Sequence, residues 1–321
     1  MYESNKSMTS NIADLYPYLF RSIDEKNKKV RIPDKTGWDE IFEPTYTSIE
    51  HSNRLIIEWS VNSFSIFGSL LLCLFLWSNK KLMIEYSHSI TFVTFASHIL
   101  YWPFYIFATW QTINLLLEHM PYYPSILSCT IVRHIIISTF QSATLVTFPI
   151  AINQIFQIFR KKQLNFEVLV AIQIFITFFE LVSVLGHIIG GKITMNDICT
   201  KFISSPHVFS TAMIANHSIL IFTFIINLIS LVIDYLKPSQ KNSHSWIVLI
   251  QTITQIVLQT PLSYRQFHVL LSKFAESVQQ ADIKNNYGYM ITFSCVFVVP
   301  FVSCLFDRKF RQALPFCSKS K

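Results

Sequence analysis

Glycine is scarce in this chain, and charge is thinner than a soluble protein would carry. Six residues of 321 are glycine and 14% are charged, where soluble domains average roughly a quarter charged. So few glycines leave no glycine-rich phosphate loop. They also supply little material for the broken midplane helices of a secondary transporter, and the internal repeats of such transporters are missing too. There is no nucleophile elbow and no paired metal-ligand spacing. Acids and histidines inside the apolar stretches are scattered rather than clustered. No enzymatic activity, cofactor or metal is therefore expected. Period-two alternation is lacking, which argues against a transmembrane barrel. Met1 to Asn53 contains no signal-peptide hydrophobic region, so the first apolar run is expected to act as the signal anchor.

What is present is apolar. Hydrophobic residues make up 51% of the chain, with 29 phenylalanines. After Leu55 the sequence is a series of long apolar runs broken by short polar loops. A helix needs roughly 20 apolar residues to cross the hydrocarbon of a bilayer, so the fold class is an all-α membrane protein. The net charge of +7 comes from basic residues in the loops between runs. Lipid headgroups and the positive-inside bias explain them better than nucleic acid does.

Seven spans are expected: Leu55–Trp77, Ile90–Leu117, Cys129–Phe159, Leu164–Ile189, Phe209–Leu236, Trp246–Leu271 and Tyr287–Phe306. Residues 1–54 then form an N-terminal tail, 55–306 a seven-transmembrane helix bundle, and 307–321 a short surface helix and tail. One side of the bundle receives Lys80, Lys81, Arg160, Lys161, Lys162, Lys237, Lys241 and the basic residues after the last span. The other receives only Arg54, Lys192, Lys201, Lys273 and Lys284. That bias places the C-terminus in the cytoplasm and the N-terminus outside. Seven more basic residues in the N-tail level the count, but most lie beyond the ~15–20 residues over which the rule acts. Asn5, in the sequon Asn5-Lys6-Ser7, is a glycosylation candidate on an outer tail.

Cys129 at the head of the third span and Cys199 in the next outer loop both face the oxidising side. They are either two free thiols or, as expected here, a disulfide that pins the loop over the bundle mouth. Cys73, Cys295 and Cys304 lie within spans and are expected to be unpaired. After Phe306, the sequence "DRKFRQALPFC" puts Phe306, Phe310 and Leu314 on one helical face, the pattern of a helix on the inner membrane surface. Cys317 beside it is a palmitoylation candidate.

Seven spans, the cysteine pair, Pro261 ("LQTPLSYRQF") and Pro300 followed ten residues later by Phe310 resemble G-protein-coupled receptors over nearly all of Leu55 to Cys317. The departures narrow the resemblance. Asn153-Gln154-Ile155 replaces the Asp-Arg-Tyr at the inner end of the third span, and Val299 and Ser303 replace the Asn and Tyr of the seventh-span motif. The fourth span has no Trp and the second no Asp. This combination, with its Phe-rich spans and "FDRKFRQAL" ending, is similar to the nematode serpentine chemoreceptors. That resemblance implies a small-molecule ligand in the outer half of the bundle, signalling through a heterotrimeric G protein, and a place on the plasma membrane of a sensory neuron or its cilia.

Ionisable residues within spans are costly and point to function by default. Arg133, His134, Glu180, His187, His217, Tyr264 and Arg265 all fall in the outer third of the bundle and are ligand-pocket candidates. Arg133 and Glu180 are a possible pair between adjacent helices, and the plainer reading is paired charges that only fix helix contacts. Asn62, deeper in the first span, is expected to be structural. Pro103, Pro261 and Pro300 are expected to kink their helices. At the inner end Asn153, Gln154, Arg160, Lys161 and Lys162 face the G protein, or Asn153 and Gln154 simply mark where the bilayer ends. The rival reading is a ligand-gated cation channel of inverted topology, as in insect chemoreceptors. The oligomeric state is not legible.

Overall fold

A computed structural model describes residues 22–24, 29–31, 41–46, 52–79, 89–117, 122–160, 162–189, 191–194, 199, 201–236, 245–271 and 288–313. Asn5, Lys161, Leu314 and Cys317 lie outside the described residues. Long helices dominate: α1 (Ser52–Ser78), α2 (Ser89–Leu116), α3 (Ile126–Ala143), α4 (Phe148–Arg160), α5 (Phe166–Ile189), α6 (Pro206–Leu236) and α7 (Ser245–Leu271). Two shorter helices, α8 (Gly288–Phe293) and α9 (Cys295–Phe306), precede a final α10 (Arg308–Ala313). Taking α3 and α4 together, six helical stretches among the described residues are long and apolar enough to cross a membrane.

The stretch from Ile126 to Arg160 is the most enclosed of the six, and α5 and α6 are the least. On α5 the buried residues are Leu169, Gln173, Glu180 and His187, three of them polar and seven apart. Residues a heptad apart share one helix face, so α5 turns a polar stripe inward. Its other faces leave Phe175, Phe178, Phe179 and Leu185 exposed, a surface suited to lipid rather than water.

The long third stretch is not one rod. Between α3 and α4 the chain tightens at residues 144–147, where Leu145 and Val146 donate to the carbonyls three residues back, Ser142 and Ala143. The cause is Pro149, in the first turn of α4. It has no N–H to give the Leu145 carbonyl and its ring crowds that carbonyl, so an α-helix cannot run straight through. Phe148 N–H bonds to Leu145 instead. Pro103 and Pro261 do lie inside α2 and α7, and Pro300 inside α9.

The last apolar stretch is divided at Ser294, yet its hydrogen bonding is nearly continuous. Ser294 N–H donates to Met290 and Ile291, and Val298 N–H returns to the Ser294 carbonyl. Close packing fixes α9 against α1, since the Phe297 ring lies 2.7 Å from where a Cβ on Gly68 would stand.

Short strands, which hydropathy does not reveal, assemble at one end of the bundle. β1 (Ser22–Asp24), β2 (Lys29–Arg31), β5 (Lys192–Thr194) and β6 (Phe202–Ser204) form a sheet in the order β2-β1-β5-β6. β3 (Thr45–Tyr46) pairs antiparallel with β4 (Tyr122–Tyr123). At the opposite end, α10 tucks Phe310 fully inside, among Leu72, Leu76, Ile90, Ile247 and Cys304. Phe306 stays exposed. The two rings therefore do not share one membrane-facing side, because Phe310 is drawn into the bundle's end.

Candidate functional site

The strand-capped end gathers most of the charged and imidazole side chains buried between helices. A disulfide joins Cys129, in the first turn of α3, to Cys199 just before β6. Both cysteines are fully buried beside Phe107, Tyr123 and Phe202. Ser125 caps α3 by accepting from Ser128 N–H, and Ile126 N–H donates to the Glu43 carbonyl. Lys201 pairs with the Glu43 carboxylate at 3.0 Å and its N–H donates to Thr45 Oγ1. Burial beside Trp110 pushes the Tyr123 phenol pKa up.

β6 is sewn directly onto α3. Ile203 N–H donates to Thr130 Oγ1 at 2.9 Å, and His134 Nε2 lies 3.2 Å from the Ile203 carbonyl. Thr130 and His134 are four apart, so one helix face serves both polar groups of a strand residue. His187 of α5 stacks on His134, ring centroids 5.1 Å apart. On the neighbouring position Arg133 is buried, with its Cζ 3.8 Å above the Phe202 ring. Its Nε and Nη1 meet no hydrogen-bond acceptor.

Arg133 and Glu180 do not pair. The Glu180 carboxylate accepts instead from Asn216 Nδ2 of α6 at 2.9 Å, and the Glu180 backbone carbonyl takes the Ser138 hydroxyl. Asn216 was invisible to a search for charge, although a polar amide amid the apolar residues of α6 is itself a signal. His217 is half-buried with its Nδ1 unmet. Tyr264 is a correction. It is 64% exposed and lies edge-on to His268 on the outside of α7, because the inward face of that turn is taken by Leu262, Ser263 and Gln266. Arg265 is half-buried next to it.

A second polar system lies deeper, at the break between α3 and α4. Thr147 donates to Gln255 Oε1 at 2.7 Å, and Gln255 Nε2 donates to the Ala143 carbonyl at 3.3 Å. Gln259 Nε2 reaches the Thr144 carbonyl at 3.2 Å. Two glutamines of α7 thus hold the tightened turn. From the α5 side Gln173 donates to both the Ser142 carbonyl and its hydroxyl. Unpaired backbone groups are costly away from water, and these amides satisfy the ones the break disturbs. Uncharged Gln255 and Gln259, four apart on α7, were passed over in the sequence.

At the end away from the strands, Asn153 is buried and its Oδ1 accepts from Leu164 N–H at 2.7 Å, closing the turn between α4 and α5. Gln154 is buried with Oε1 unmet, and Arg160 and Lys162 are exposed. Asn62 is fully buried in α1 with neither side-chain atom hydrogen-bonded.

Residues 38–239 match the family described as a protein of unknown function, DUF1182. The chain belongs to that family. The DUF1182 match starts ahead of β3 and ends just past α6. It takes in the disulfide, Arg133, His134, Glu180, His187 and Asn216, and stops short of the α7 glutamines. An uncharacterized Caenorhabditis elegans protein, ZK757.1, is 26% identical over 155 residues, 48% of each chain. The chain thus spans about half the length of the curated relative it matches.

Proposed function

We propose that the chain is a seven-transmembrane chemosensory receptor of the serpentine type. Its N-terminus lies outside and its C-terminus in the cytoplasm of a plasma membrane. A small molecule binds at the strand-capped, outer end of the bundle, and a heterotrimeric G protein reads the opposite end. The observation that carries this reading is the meeting of Arg133, His134 and His187 under β6, held there by the Cys129–Cys199 disulfide. Ionisable groups inside a membrane bundle are costly to bury and point to function by default.

The seventh span is supplied by α8 and α9. Residues 288–306 amount to about 28 Å of helix at ~1.5 Å per residue, close to the ~30 Å of bilayer hydrocarbon. An odd number of spans puts the two termini on opposite faces, in keeping with the basic residues that follow Phe306.

Transmission runs through the break in the third span. Its outer part, α3, carries the buried Arg133 and His134. Its inner part, α4, carries Asn153 and the exposed Arg160, with Lys162 exposed just beyond it. Gln255 and Gln259 tie the joint to α7. A ligand that favours one setting of this joint shifts the population toward it, and the inner ends of α4, α6 and α7 present the result to the G protein. Without an Arg in the Asn153-Gln154-Ile155 stretch no ionic lock forms there, and Asn153 instead holds the α4–α5 turn by accepting from Leu164 N–H.

The test is nucleotide exchange on a purified heterotrimeric G protein, with the full chain in lipid nanodiscs and a panel of small organic odorants. Ligand-dependent acceleration of exchange is expected. Ligand-evoked ionic current from the same chain in bilayers lacking any G protein would replace the receptor reading with a channel.

A further inference from the structure

Among the described residues, Arg133 is a buried charge with no counter-ion. It is 6% exposed, and its Nε and Nη1 donate to nothing. No acid among the described residues pairs with it, and the carboxylate on the facing side of α5, Glu180, is held by Asn216. The Phe202 face beneath the guanidinium, at 3.8 Å, offsets the charge only in part, because a ring quadrupole attracts a cation without accepting its N–H groups. His134 and His187 are stacked alongside, and His187 Nδ1 is unmet.

A buried guanidinium with unmet donors costs far more than a paired one. It is planar, permanently charged and shaped for oxyanions. Such a group belongs in a folded bundle when something from outside completes it. We propose that Arg133 is the anchor for a carboxylate, so that the ligand of the site described above is a small organic acid, its charged end at Arg133 beside His187. The apolar remainder lies toward Phe140, a heptad along α3 from Arg133 and so on the same face, and toward Tyr289, whose ring is 5.8 Å from that of Phe140. The cap explains selectivity in the same terms. β6 supplies Phe202 below the cation, and the disulfide before it fixes that ring in place, so the anion meets a guanidinium already oriented. This rests on the receptor reading for its biological meaning, but the binding itself does not need a G protein.

The experiment uses the full chain in nanodiscs, with thermal unfolding followed by tryptophan fluorescence. The probes are hexanoate, benzoate and phenylacetate, each against its methyl ester and its alcohol. Carboxylates are expected to raise the unfolding midpoint in a saturable manner, by a few degrees at saturation, while the neutral partners do so by less than half as much. In Arg133→Gln the carboxylate advantage disappears. Arg311→Gln, exposed on α10 at the opposite end, keeps it. Equal shifts for acids and esters in the unmodified chain overturn the proposal, and that comparison stands even where Arg133→Gln does not fold. An Arg133→Gln protein that folds and retains the carboxylate advantage also overturns it. Carboxylate binding without any nucleotide exchange would count against the receptor reading alone. Exchange driven by neutral odorants without carboxylate binding would count against this inference alone.

Discussion

Replacing Gln255 by Leu keeps the side-chain volume in α7 and removes two hydrogen bonds at the α3–α4 joint, one from Thr147 and one to Ala143. Hydrogen bonds between transmembrane helices average about 0.6 kcal/mol and reach about 1.7. The expected loss is therefore about 1.2 kcal/mol, with a ceiling of about 3.4 if both bonds are at the strong end. The 2.7 Å Thr147 bond is the shorter and should dominate over the 3.3 Å one. Thr147→Val removes that bond from the other side. The two single changes count it twice and the double variant counts it once, so the double should be less destabilised than the sum by about 0.6–1.7 kcal/mol. Reversible unfolding in bicelles, with the four proteins compared under one condition, measures this coupling. Strict additivity would mean that the two side chains do not meet and would remove the tie between the third span and α7. Pro149→Ala gives a further check, because restoring an N–H for the Leu145 carbonyl should straighten the joint and weaken the same coupling.

Three other consequences follow from the packing. Cys129→Ser, Cys199→Ser and the double change should be equally destabilised, by about 2–4 kcal/mol, in thermal inactivation; a milder double variant would show the bridge is not what holds the cap. Glu180→Gln keeps an acceptor for Asn216 and should be tolerated, whereas Glu180→Leu strands a buried amide donor at a cost of about 1–3 kcal/mol, seen as a lower unfolding midpoint. Gly68→Val drives a side chain into Phe297, already 2.7 Å from a Cβ at that position, and should lower stability by about 1–3 kcal/mol and reduce yield of folded protein on size exclusion.

Hydropathy and cysteine position made the helices and the bridge legible, because apolar length and the place of a cysteine at the end of an apolar run are local properties of sequence. Which way a side chain turns is not local. Arg133 and Glu180 looked like a pair from their depth, and Asn216 on a third helix took the acid. Tyr264 looked like a pocket residue and faces outward with His268. The α5 stripe Gln173, Glu180 and His187 was readable, since a spacing of seven fixes a common face. The strands at the cap were not, because three-residue strands have no period to detect and β1 pairs with β5 far along the chain. Pro149 was the missed signal: it sits inside an apolar run too long for one straight span and explains where that run breaks.

The account depends first on seven spans with an outer N-terminus, which α8 and α9 must complete. Epitope tags placed ahead of Met1 and after Lys321, probed by antibody on intact and then permeabilised cells, test this directly. The N-terminal tag should be labelled on intact cells and the C-terminal tag only after permeabilisation. Both tags on one side would mean an even number of spans, with α8 and α9 not crossing. A C-terminal tag labelled on intact cells, with the N-terminal tag hidden, would put the Arg133 cap in the cytoplasm and contradict the receptor.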